Sequence, residues 1–570
     1  MLPQATWRVA GPDVQAVDGL VDGLGVSRIL ATCLVNRGLG EIDAARDHLE
    51  PRLARLLLPG KMAGLSDGAE RAVEAIRQKE RVGVFGDYDV DGVASAALVV
   101  NFLRELSVET ETIIADRFTG GYGLGPDVVE RLVKSGCSLI IVVDCGTSDH
   151  EAMERAAELG VDVIIIDHHR VEGSHPNALA FINPQRADCD FPDKTMAAVG
   201  LAFYFAAAVR ARLVELGRLE RDGVDPRSLL DLVALGTVAD VALLKGNNRI
   251  MVSYGLRQMS ASRRPGVDAL FRTSKIRTDK IRANHISFQL APRLNAAGRV
   301  ADAFDAFDLL VSGGGGHCAM LAKKLEKLTR ERRRIEEQVT EEARRQIEQM
   351  KMQDQPALVL AGDGWHPGVI GIVAAKLVEE FSKPSYVIGF DGDVGVGSAR
   401  ASGLLNLHQS LVEAAHTLVR YGGHKEAAGF MVRRTELENL KSALVDFARN
   451  ESTVLQDTQM VCDAGLNASQ LKIQLLEDLD RLGPFGNGNP EPVFEITGLD
   501  VLESRVVGAN HLKLELKTPT GSVSAFGPRM GHFSRNLPPM IRVAASLSED
   551  EWRGQGTLEL RLVCPPIQDA

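Results

Sequence analysis

Three acidic residues alternate within one short turn of the chain. Asp87, Asp89 and Asp91 lie in the segment 86–92, directly after the apolar run 82–85. Like charges this close repel one another, and magnesium or manganese, which prefer oxygen ligands, would relieve that repulsion. One aspartate after a strand is often only a helix cap, but three alternating acids are a poor design for a cap. We therefore predict a metal site at this turn.

Further possible ligands follow later apolar runs. The residues concerned are Asp144, Asp167, His168, His169 and Asp240. If each apolar run is a strand of one parallel sheet, the carboxyl ends of these strands meet at one edge, and we expect the side chains to converge on the acidic turn. Carboxylates and imidazoles around two hard cations suit metal-assisted hydrolysis of a phosphoryl bond, in which one ion activates a water and both neutralise charge on the phosphate.

The elements that position these residues are predicted to form an α/β fold. Short apolar or β-branched runs alternate with helical segments from about residue 80 to 310, which is typical of a parallel sheet wrapped by helices. The predicted strands are 82–85, 111–115, 139–143 and 161–166, with a helix from about residue 93. The preceding residues, 1–75, are interpreted as a helical lead-in that carries no chemistry.

The rest of the chain divides where its pattern changes. A glycine cluster precedes a charged segment, 317–353, which we interpret as one long exposed helix whose opposite charges pair along its surface. A second, smaller α/β unit follows, and alternating stretches after about residue 455 favour a small antiparallel barrel or sandwich. The predicted division is 1–75, 76–312, 313–354, 355–452 and 453–570.

Composition limits the classes of function. Acidic residues outnumber basic ones, 76 to 65, so a nucleic-acid site must be a local basic surface or depend on metal ions. Seven cysteines without a CxxC pair indicate reduced, unpaired thiols and a cytoplasmic protein. No long apolar stretch and no signal-like N-terminus are present, so we expect neither a membrane span nor secretion.

A basic run precedes residue 290. It consists of Arg263, Arg264, Arg272, Lys275, Arg277, Lys280 and Arg282. Two interpretations remain open: the run tracks a nucleic-acid backbone, or it is a solvated face of the protein.

Several of these motifs resemble a known family. Segments 89–92, 167–169 and 236–240, together with Asp144, are similar to the successive motifs of the DHH phosphoesterase superfamily. The segment 422–429, GGHKEAAG, resembles the GGHxxAAG substrate loop of the DHHA1 domain. The segments APRLNAAGR and PFGNGNPEPVF resemble those of the bacterial RecJ exonucleases, and the resemblance covers nearly the whole chain.

The resemblance implies an architecture and an activity. The expected architecture is a DHH domain joined by a long helix to a DHHA1 domain, followed by an OB-fold. The expected activity is two-metal-ion hydrolysis of single-stranded DNA from the 5′ end to 5′ mononucleotides, in DNA repair, including mismatch repair, and in recombination. The alternatives are a phosphodiesterase acting on cyclic dinucleotides or short oligonucleotides, and a non-catalytic DNA-binding scaffold.

The resemblance also implies roles for individual residues. Two Mn²⁺ or Mg²⁺ ions are expected at Asp87, Asp89, Asp91, Asp144, His168 and Asp240, with Asp144 bridging them. The catalytic set is expected to be Asp144, His168 and His169. His169 could instead be an acid or a phosphate donor, because neighbouring side chains on an extended backbone point in opposite directions.

Substrate contacts are implied in both lobes. The expected residues are Arg117, Tyr122, Arg293, Asn295, Arg299, Ser398, Arg400 and His424. Arg117, Ser398 and Arg400 resemble the residues that hold the terminal 5′ phosphate and the neighbouring backbone, Tyr122 could stack on a base, and His424 could donate to a phosphate next to the scissile bond. The partners implied are single-stranded DNA, single-strand-binding protein and a RecQ-type helicase, for a monomer in the bacterial cytoplasm.

Overall fold

The N-terminal helices belong to the C-terminal part of the fold. The computed structural model describes residues 7–118, 123–261, 263–276, 280–401, 403, 405–451, 459–519, 521–550 and 557–569. The chain begins with β1 (Trp7–Val9), α1 (Val14–Leu24), α2 (Arg28–Asn36) and α3 (Ile42–Leu49). Buried side chains of these helices share one apolar core with strands near the end of the chain. The helices α1–α3 of the predicted lead-in, 1–75, therefore pack on the last part of the chain. The sequence did not indicate this, because an amphipathic helix shows an apolar face but not the surface that covers it.

The first domain is built on a parallel sheet. Its first elements are α4 (Leu65–Gln78), β2 (Arg81–Gly86), α5 (Val90–Glu105), β3 (Thr110–Ile114), α6 (Pro126–Lys134), β4 (Cys137–Val143), α7 (His150–Leu159), β5 (Asp162–Ile166) and β6 (Ala180–Ile182). The five strands run parallel in the order β3-β2-β4-β5-β6. Helices cover both faces, which is why the strands read as nearly continuous apolar runs. All four predicted strands are confirmed.

Helices complete this domain. They are α8 (Ala198–Glu215), α9 (Leu230–Ala239), α10 (Gly246–Ala261), α11 (Pro265–Ser274), α12 (Ala283–His285), a π-helix (Ile286–Leu290), α13 (Ala291–Val300) and α14 (Phe304–Val311). Asp240 thus follows a helix, α9, and the expectation of a fourth strand end was wrong. Residues 230–238 are all buried, and a helix that is apolar on every side lacks the amphipathic period that distinguishes it from a strand.

One long helix joins the two lobes. It is α15 (Gly315–Gln349), about 50 Å in length. Leu321 and Leu325 pack into the first domain, whereas Val339 and Ile347 pack into the second. Its exposed side carries ion pairs between Arg and Glu one turn apart, such as Arg330–Glu326 at 3.1 Å, as predicted. The helix therefore sets the spacing of the lobes.

The second domain is a smaller α/β unit with a mixed sheet. The second domain contains β7 (Leu358–Asp363), α16 (Pro367–Phe381), β8 (Ser385–Asp391), β9 (Val394–Arg400), α17 (Leu407–Glu413), β10 (Leu418–Gly423), β11 (Ala427–Arg433) and α18 (Leu437–Glu451). Its sheet has the order β10-β11-β9-β8-β7, in which β7 and β8 are parallel and the other pairs are antiparallel.

Five of the remaining described strands close into the predicted barrel. The elements of this last part are β12 (Met460–Cys462), β13 (Ala464–Asn467), α19 (Ile473–Leu479), β14 (Phe494–Val507), β15 (His511–Thr518), β16 (Gly521–Gly527), β17 (Met540–Glu549), β18 (Leu558–Leu562) and β19 (Ile567–Gln568), and β12 pairs with β1 in a separate two-stranded sheet. Because β14 pairs with both β15 and β17, the strands β14-β15-β16-β18-β17 form a closed ring. We call this ring, with the packed helices α1–α3, the barrel module.

A buried arginine fastens the barrel module to the first domain. Arg249 of α10 is 4% exposed, and its guanidinium donates to the carbonyl oxygens of His48 at 2.9 Å and Gly483 at 2.6 Å. Arg529 of the barrel reaches Glu379 of the second domain at 3.1 Å. The barrel module therefore contacts both other domains.

Two expectations from composition can be compared with the fold. All seven cysteines are free thiols, as predicted. Within the described ranges, no helix has the length and apolar character needed to cross a membrane.

Candidate metal centre

The acidic turn between β2 and α5 is held tightly by its own backbone. The carboxylate of Asp89 accepts hydrogen bonds from the amides of Asp91 at 2.8 Å and Gly92 at 3.2 Å, which caps α5. Gly92 is required because a Cβ at this position would lie 2.5 Å from the carbonyl oxygen of Asp87. The turn therefore brings its three carboxylates close together.

The three acids differ in their local roles. Asp91 accepts hydrogen bonds from the amides of Ala198 at 2.7 Å and Val199 at 3.0 Å, so it caps α8. Of the three acids, only Asp89 therefore caps the helix that follows the turn, while Asp91 caps a distant one. In contrast, Oδ1 of Asp87 is buried without a hydrogen-bond partner among the described residues. Such an oxygen is costly to bury unless a cation or donor reaches it.

Asp144 and His168 connect this turn to the rest of the site. Asp144 follows β4 with a φ of 63°, which lies in the left-handed region of the backbone. Apart from glycine, mainly asparagine and aspartate adopt this conformation. Nε2 of His168 lies 3.2 Å from Oδ1 of Asp144, and its Nδ1 lies 3.9 Å from Oδ2 of Asp240. His168 therefore stands between a carboxylate after a strand and one after a helix.

The predicted metal ligands fall into overlapping groups. Within each group, one ligand atom per residue lies within 4.8 Å of the others, and the groups are Asp87 with Asp89 and Asp144, Asp144 with His168 and His169, and Asp91 with His168 and Asp240. Asp144 and His168 each belong to two groups. Oxygen and imidazole donors in this arrangement, with the orphaned oxygen of Asp87, fit two neighbouring Mn²⁺ or Mg²⁺ ions.

Burial and mutual repulsion make it unfavourable for these carboxylates to be ionised together when no cation is bound. Burial, and then the neighbouring Asp240, raise the pKa of Asp91 to about 7. Burial, and then Asp89, raise the pKa of Asp240 to about 7. Burial and adjacent carboxylates also raise the pKa values of Asp87 and Asp144 well above their usual range. Cations bound here would therefore stabilise the folded protein.

Asp167, which the sequence indicates as a possible ligand, orients His169. Oδ1 of Asp167 accepts a hydrogen bond from Nδ1 of His169 at 2.7 Å, and its Oδ2 accepts one from the Thr147 hydroxyl at 2.6 Å. Burial lowers the pKa of His169, but the hydrogen bond and the charge of Asp167 outweigh burial and raise it to about 9. The rings of His168 and His169 lie 4.6 Å apart between centroids, so the expectation that they point apart was wrong.

Three predicted substrate arginines gather beside the cluster. The guanidinium of Arg117 lies 4.2 Å from the Tyr88 ring centroid, Arg299 donates to the carbonyl oxygen of Gly368 at 3.2 Å, and Arg400 donates to the Ser398 hydroxyl at 3.1 Å. None of the three forms an ion pair with a carboxylate in the described part of the chain. Burial, and then Arg117, lower the pKa of Arg400, because two cations face each other across the lobes.

The N-terminus of α16 adds to this positive pocket. A Cβ at Gly371 of α16 would lie 2.9 Å from the hydroxyl oxygen of Ser398 and 3.1 Å from Nη2 of Arg400. His366, a residue that sequence reasoning missed, caps α16 and lies 5.4 Å from the ring of Phe118. The histidine before the Pro-Gly pair at 367–368 was the available signal. Unpaired cations at a helix N-terminus make a site suited to a phosphate.

Two further predicted substrate residues, His424 and Asn295, lie in different parts of the structure. His424 lies in the loop between β10 and β11, and burial, then the neighbouring charges of Arg170 and His169, lower its pKa. Asn295 lines a groove of about 620 Å³ with Arg299 and with two residues that sequence reasoning missed, Phe288 and Arg332. Arg332 also pairs with Glu336 of the same helix at 3.0 Å.

Two predicted residues do not join these groups. Arg293 is 9% exposed, and it donates to Glu326 at 2.8 Å and to the carbonyl oxygen of Gln289 at 2.6 Å. Its guanidinium is thus paired between helices, and a substrate contact by Arg293 stays a prediction. Tyr122 lies outside the described residues.

Manganese is expected to raise the melting temperature of the protein. At an ion concentration about 100 times Kd, binding to the folded state alone contributes about 2.7 kcal/mol, or about 5–10 °C for a domain of this size. Differential scanning fluorimetry with Mn²⁺ or EDTA measures the shift. Asp87→Asn should reduce it, and an undiminished shift in that variant would contradict a metal contact by Asp87.

Known proteins resemble the chain over most of its length. Models of the DHH family N-terminal domain, the DHHA1 domain and the RecJ OB domain match residues 81–237, 354–450 and 462–563. Single-stranded-DNA-specific exonucleases RecJ from Bacillus subtilis and Escherichia coli are each 34% identical, over 98% and 90% of this chain and 70% and 92% of theirs. The crystal structure of Thermus thermophilus RecJ in complex with Mn²⁺ is 30% identical, with a TM-score of 0.83 over all of this chain and 80% of that one. The Mg²⁺ complex of the same protein covers the same shares at a TM-score of 0.77 and 29% identity.

Proposed function

The chain belongs to the RecJ family of single-stranded-DNA-specific exonucleases, and from this premise we propose that it releases 5′ mononucleotides from the 5′ end of single-stranded DNA. The observation that carries the proposal is the position of the arginine pocket, formed by Arg117, Arg299 and Arg400, beside the carboxylate cluster. A pocket that binds the terminal phosphate, next to a site that cleaves the adjacent phosphodiester bond, is the geometry expected of an exonuclease that acts on a phosphorylated end.

The proposed metal ligands form two sets. Asp87, Asp89 and Asp144 would hold one ion, while Asp91, His168 and Asp240 would hold the other with a contribution from Asp144. Divalent cations, when bound, activate water and neutralise charge on the phosphate. Since this chemistry needs no side-chain nucleophile, the protein's task is to hold the ligands and the strand.

His169 is proposed to contact the substrate rather than only a metal ion. Asp167 accepts a hydrogen bond from Nδ1 of His169 and so fixes the orientation of the imidazole, and we propose that in this orientation the ring contacts a phosphate oxygen. The loop of His424 approaches from the second domain and would donate to the adjacent phosphate. The two histidines would thus orient the scissile linkage, one from each domain.

The 5′ polarity is proposed to follow from the arginine pocket. Arg117 and Arg400 come from different lobes, and Ser398 supplies a hydroxyl beside Arg400. A terminal 5′ phosphate has more charged oxygens than an internal phosphodiester. It would therefore form more hydrogen bonds with these donors than an internal phosphodiester would. With the end held there, the first phosphodiester would lie over the carboxylate cluster.

The path of the strand is proposed to run through the groove that contains Phe288. This ring is 76% exposed on a π-helix, an irregularity that often marks functional sites. Arg299 and Arg332 line the same groove. Cations for the backbone together with an exposed ring for the bases are the usual means of binding an unpaired strand.

Phe288→Ala is expected to weaken binding of long single strands. Loss of one stacked base corresponds to about 1–3 kcal/mol, or roughly a 10- to 100-fold rise in KM. Phe288→Trp should preserve the wild-type KM, whereas Phe288→Leu should behave like the alanine variant. Steady-state kinetics on a long strand and on a dinucleotide measure this, and an equal loss on both substrates would contradict the stacking role.

A digestion time course tests the proposed function. Single strands labelled at the 5′ or 3′ end, blunt duplex and a cyclic dinucleotide are incubated with protein in Mn²⁺. We expect immediate release of labelled mononucleotide from the 5′-labelled strand and gradual shortening of the 3′-labelled strand. Turnover of the cyclic dinucleotide alone would favour the small-substrate phosphodiesterase, and binding without any turnover would favour the scaffold.

We also propose a role for each part of the chain. Residues 76–312 would carry out hydrolysis, residues 355–452 would hold the substrate, and residues 453–570 would bind nucleic acid, with 313–354 as the connecting helix. The family resemblance supports a cytoplasmic monomer in DNA repair, with single-strand-binding protein and a RecQ-type helicase as partners. Light scattering of the purified protein tests the monomer.

A further inference from the structure

A second basic groove lies between α11 and α15. Its volume is about 1120 Å³, and it shares no lining residue with the groove of Phe288. Its cationic side chains are Arg263, Arg272, Lys323, Lys327 and Arg330. Of the predicted basic run, Arg263 and Arg272 line this groove. Two other members form ion pairs elsewhere, Arg264 with Asp231 at 2.5 Å and Lys280 with Asp480 at 2.5 Å. Arg277 lies outside the described residues.

The groove carries an excess of positive charge in an acidic protein. The whole chain has a formal net charge of −11, yet the lining contains five cations and two carboxylates. Both carboxylates are already paired, Asp268 with Arg272 at 2.7 Å and Glu326 with Arg293 at 2.8 Å. Lys323 and Lys327 are exposed, stand one turn apart on α15 and form no ion pair with any described residue. Their charges are therefore available to an anionic ligand.

The other lining residues indicate which polyanion fits. The described lining contains no aromatic side chain, and Ala261, Ala269, Gly315 and Ala319 leave the groove open between its basic walls. An unpaired strand is usually held by stacking as well as by charge. In duplex DNA the bases stack on one another and the phosphates face outward, so a groove that offers an excess of cations and no described aromatic side chain suits the duplex backbone.

One helix connects this groove to the metal cluster. At one end of α13, Gly298 packs so closely that a Cβ there would lie 2.6 Å from the carbonyl oxygen of Tyr88 in the acidic turn. Nearer its other end, Arg293 pairs with Glu326, which lines the groove. A helix of ten residues is about 15 Å long. The groove is thus near enough to contact DNA whose unpaired end occupies the cluster.

We propose that the groove between α11 and α15 binds the phosphate backbone of a double-stranded segment that adjoins the single strand being digested. The inference rests on the proposed function, since that function places the unpaired end in the first domain. The groove would hold the enzyme at a junction while the unpaired end is shortened. It would read charge and shape rather than sequence.

Binding of tailed duplexes tests this inference. Full-length protein in EDTA is titrated with a fluorescent duplex bearing a 5′ single-stranded tail, and with the tail alone, at several salt concentrations. For Lys323→Ala/Lys327→Ala we expect roughly tenfold weaker binding of the tailed duplex and a salt slope smaller by about 2, since each phosphate contact contributes about 0.9. Binding of the tail alone should not change.

Arg345→Ala is the matched control. Arg345 is an exposed cation on the same helix, about 27 Å along it from Lys327, and its variant should bind both ligands like the wild type. Equal losses on the tail and on the tailed duplex in the lysine variant would overturn the duplex assignment. Binding of an Asp- and Glu-rich peptide that needs both lysines, with DNA binding unaffected, would also overturn it in favour of a protein partner.

Turnover separates this inference from the proposed function. The same proteins are assayed in Mn²⁺ on an oligonucleotide too short to reach the groove. Failure of the wild type in this assay would contradict the proposed function, whereas the duplex titration in EDTA does not depend on it. Equal turnover by the wild type and the lysine variant supports a loss confined to duplex binding, and a loss of turnover in the variant overturns it.

Discussion

Asp144→Asn is expected to lower kcat by at least about 10³-fold while the protein folds normally. The carboxylate of Asp144 belongs to two of the ligand groups, so its replacement weakens both proposed ion sites at once. A 10³-fold loss corresponds to about 4 kcal/mol of transition-state stabilisation, which is within the range supplied by metal ions. Asparagine tolerates the left-handed backbone of this position better than alanine does, so the substitution leaves the turn intact.

The measurement for Asp144→Asn combines three readouts. They are kcat on a labelled single strand in Mn²⁺, the melting temperature in EDTA, and the affinity for single-stranded DNA in EDTA. Asp190→Asn is the matched control, because Asp190 is an exposed carboxylate of the same domain. Near-normal turnover of Asp144→Asn would remove this residue from the shared position between the ions.

Arg400→Ala is expected to abolish most of the preference for a phosphorylated 5′ end. Loss of a hydrogen bond to a charged group costs about 1.5–3 kcal/mol, so KM for a 5′-phosphorylated strand should rise roughly 10- to 100-fold. KM for the same strand with a 5′ hydroxyl should change little. Within the described residues, the guanidinium of Arg400 donates to Ser398 and Ala399 of its own strand, so its removal leaves the sheet intact.

Two variants complete the Arg400 experiment. Arg400→Lys keeps the charge but loses the planar fork of donors, and we expect an intermediate KM for the phosphorylated strand. Arg433→Ala removes an exposed arginine of the neighbouring strand β11 and should preserve the preference. If Arg400→Ala leaves KM unchanged for both strand ends, Arg400 does not bind the terminal phosphate.

The convergence of the metal cluster could be predicted because each step rests on a local pattern. Apolar runs bounded by helical segments indicate parallel strands, and parallel strands bring Asp87, Asp144 and His168 to one edge. The position of Asp240 was also correct, although the element before it was not. Burial on all sides removes the period that separates helix from strand, whereas the aspartate that follows remains visible in the sequence.

The parts that could not be predicted depend on contacts between distant segments. Arg293 stands in a motif of the family, and nothing local shows that Glu326 would bind its guanidinium. Asp91 caps a helix that begins more than 100 residues later. Phe288 resembles any core phenylalanine in the sequence, and its exposure depends on the irregular turn that carries it.

The shared core of the barrel module has a consequence for how the protein is made. Val17 of α1 and Leu562 of β18 belong to the same apolar cluster, yet roughly 550 residues separate them. At about 5–20 residues per second, a ribosome needs about 30–110 s to synthesise that interval. Until the last strands emerge, the nascent helices α1–α3 lack part of the apolar core that covers them. We therefore expect them to be a principal contact for chaperones during translation.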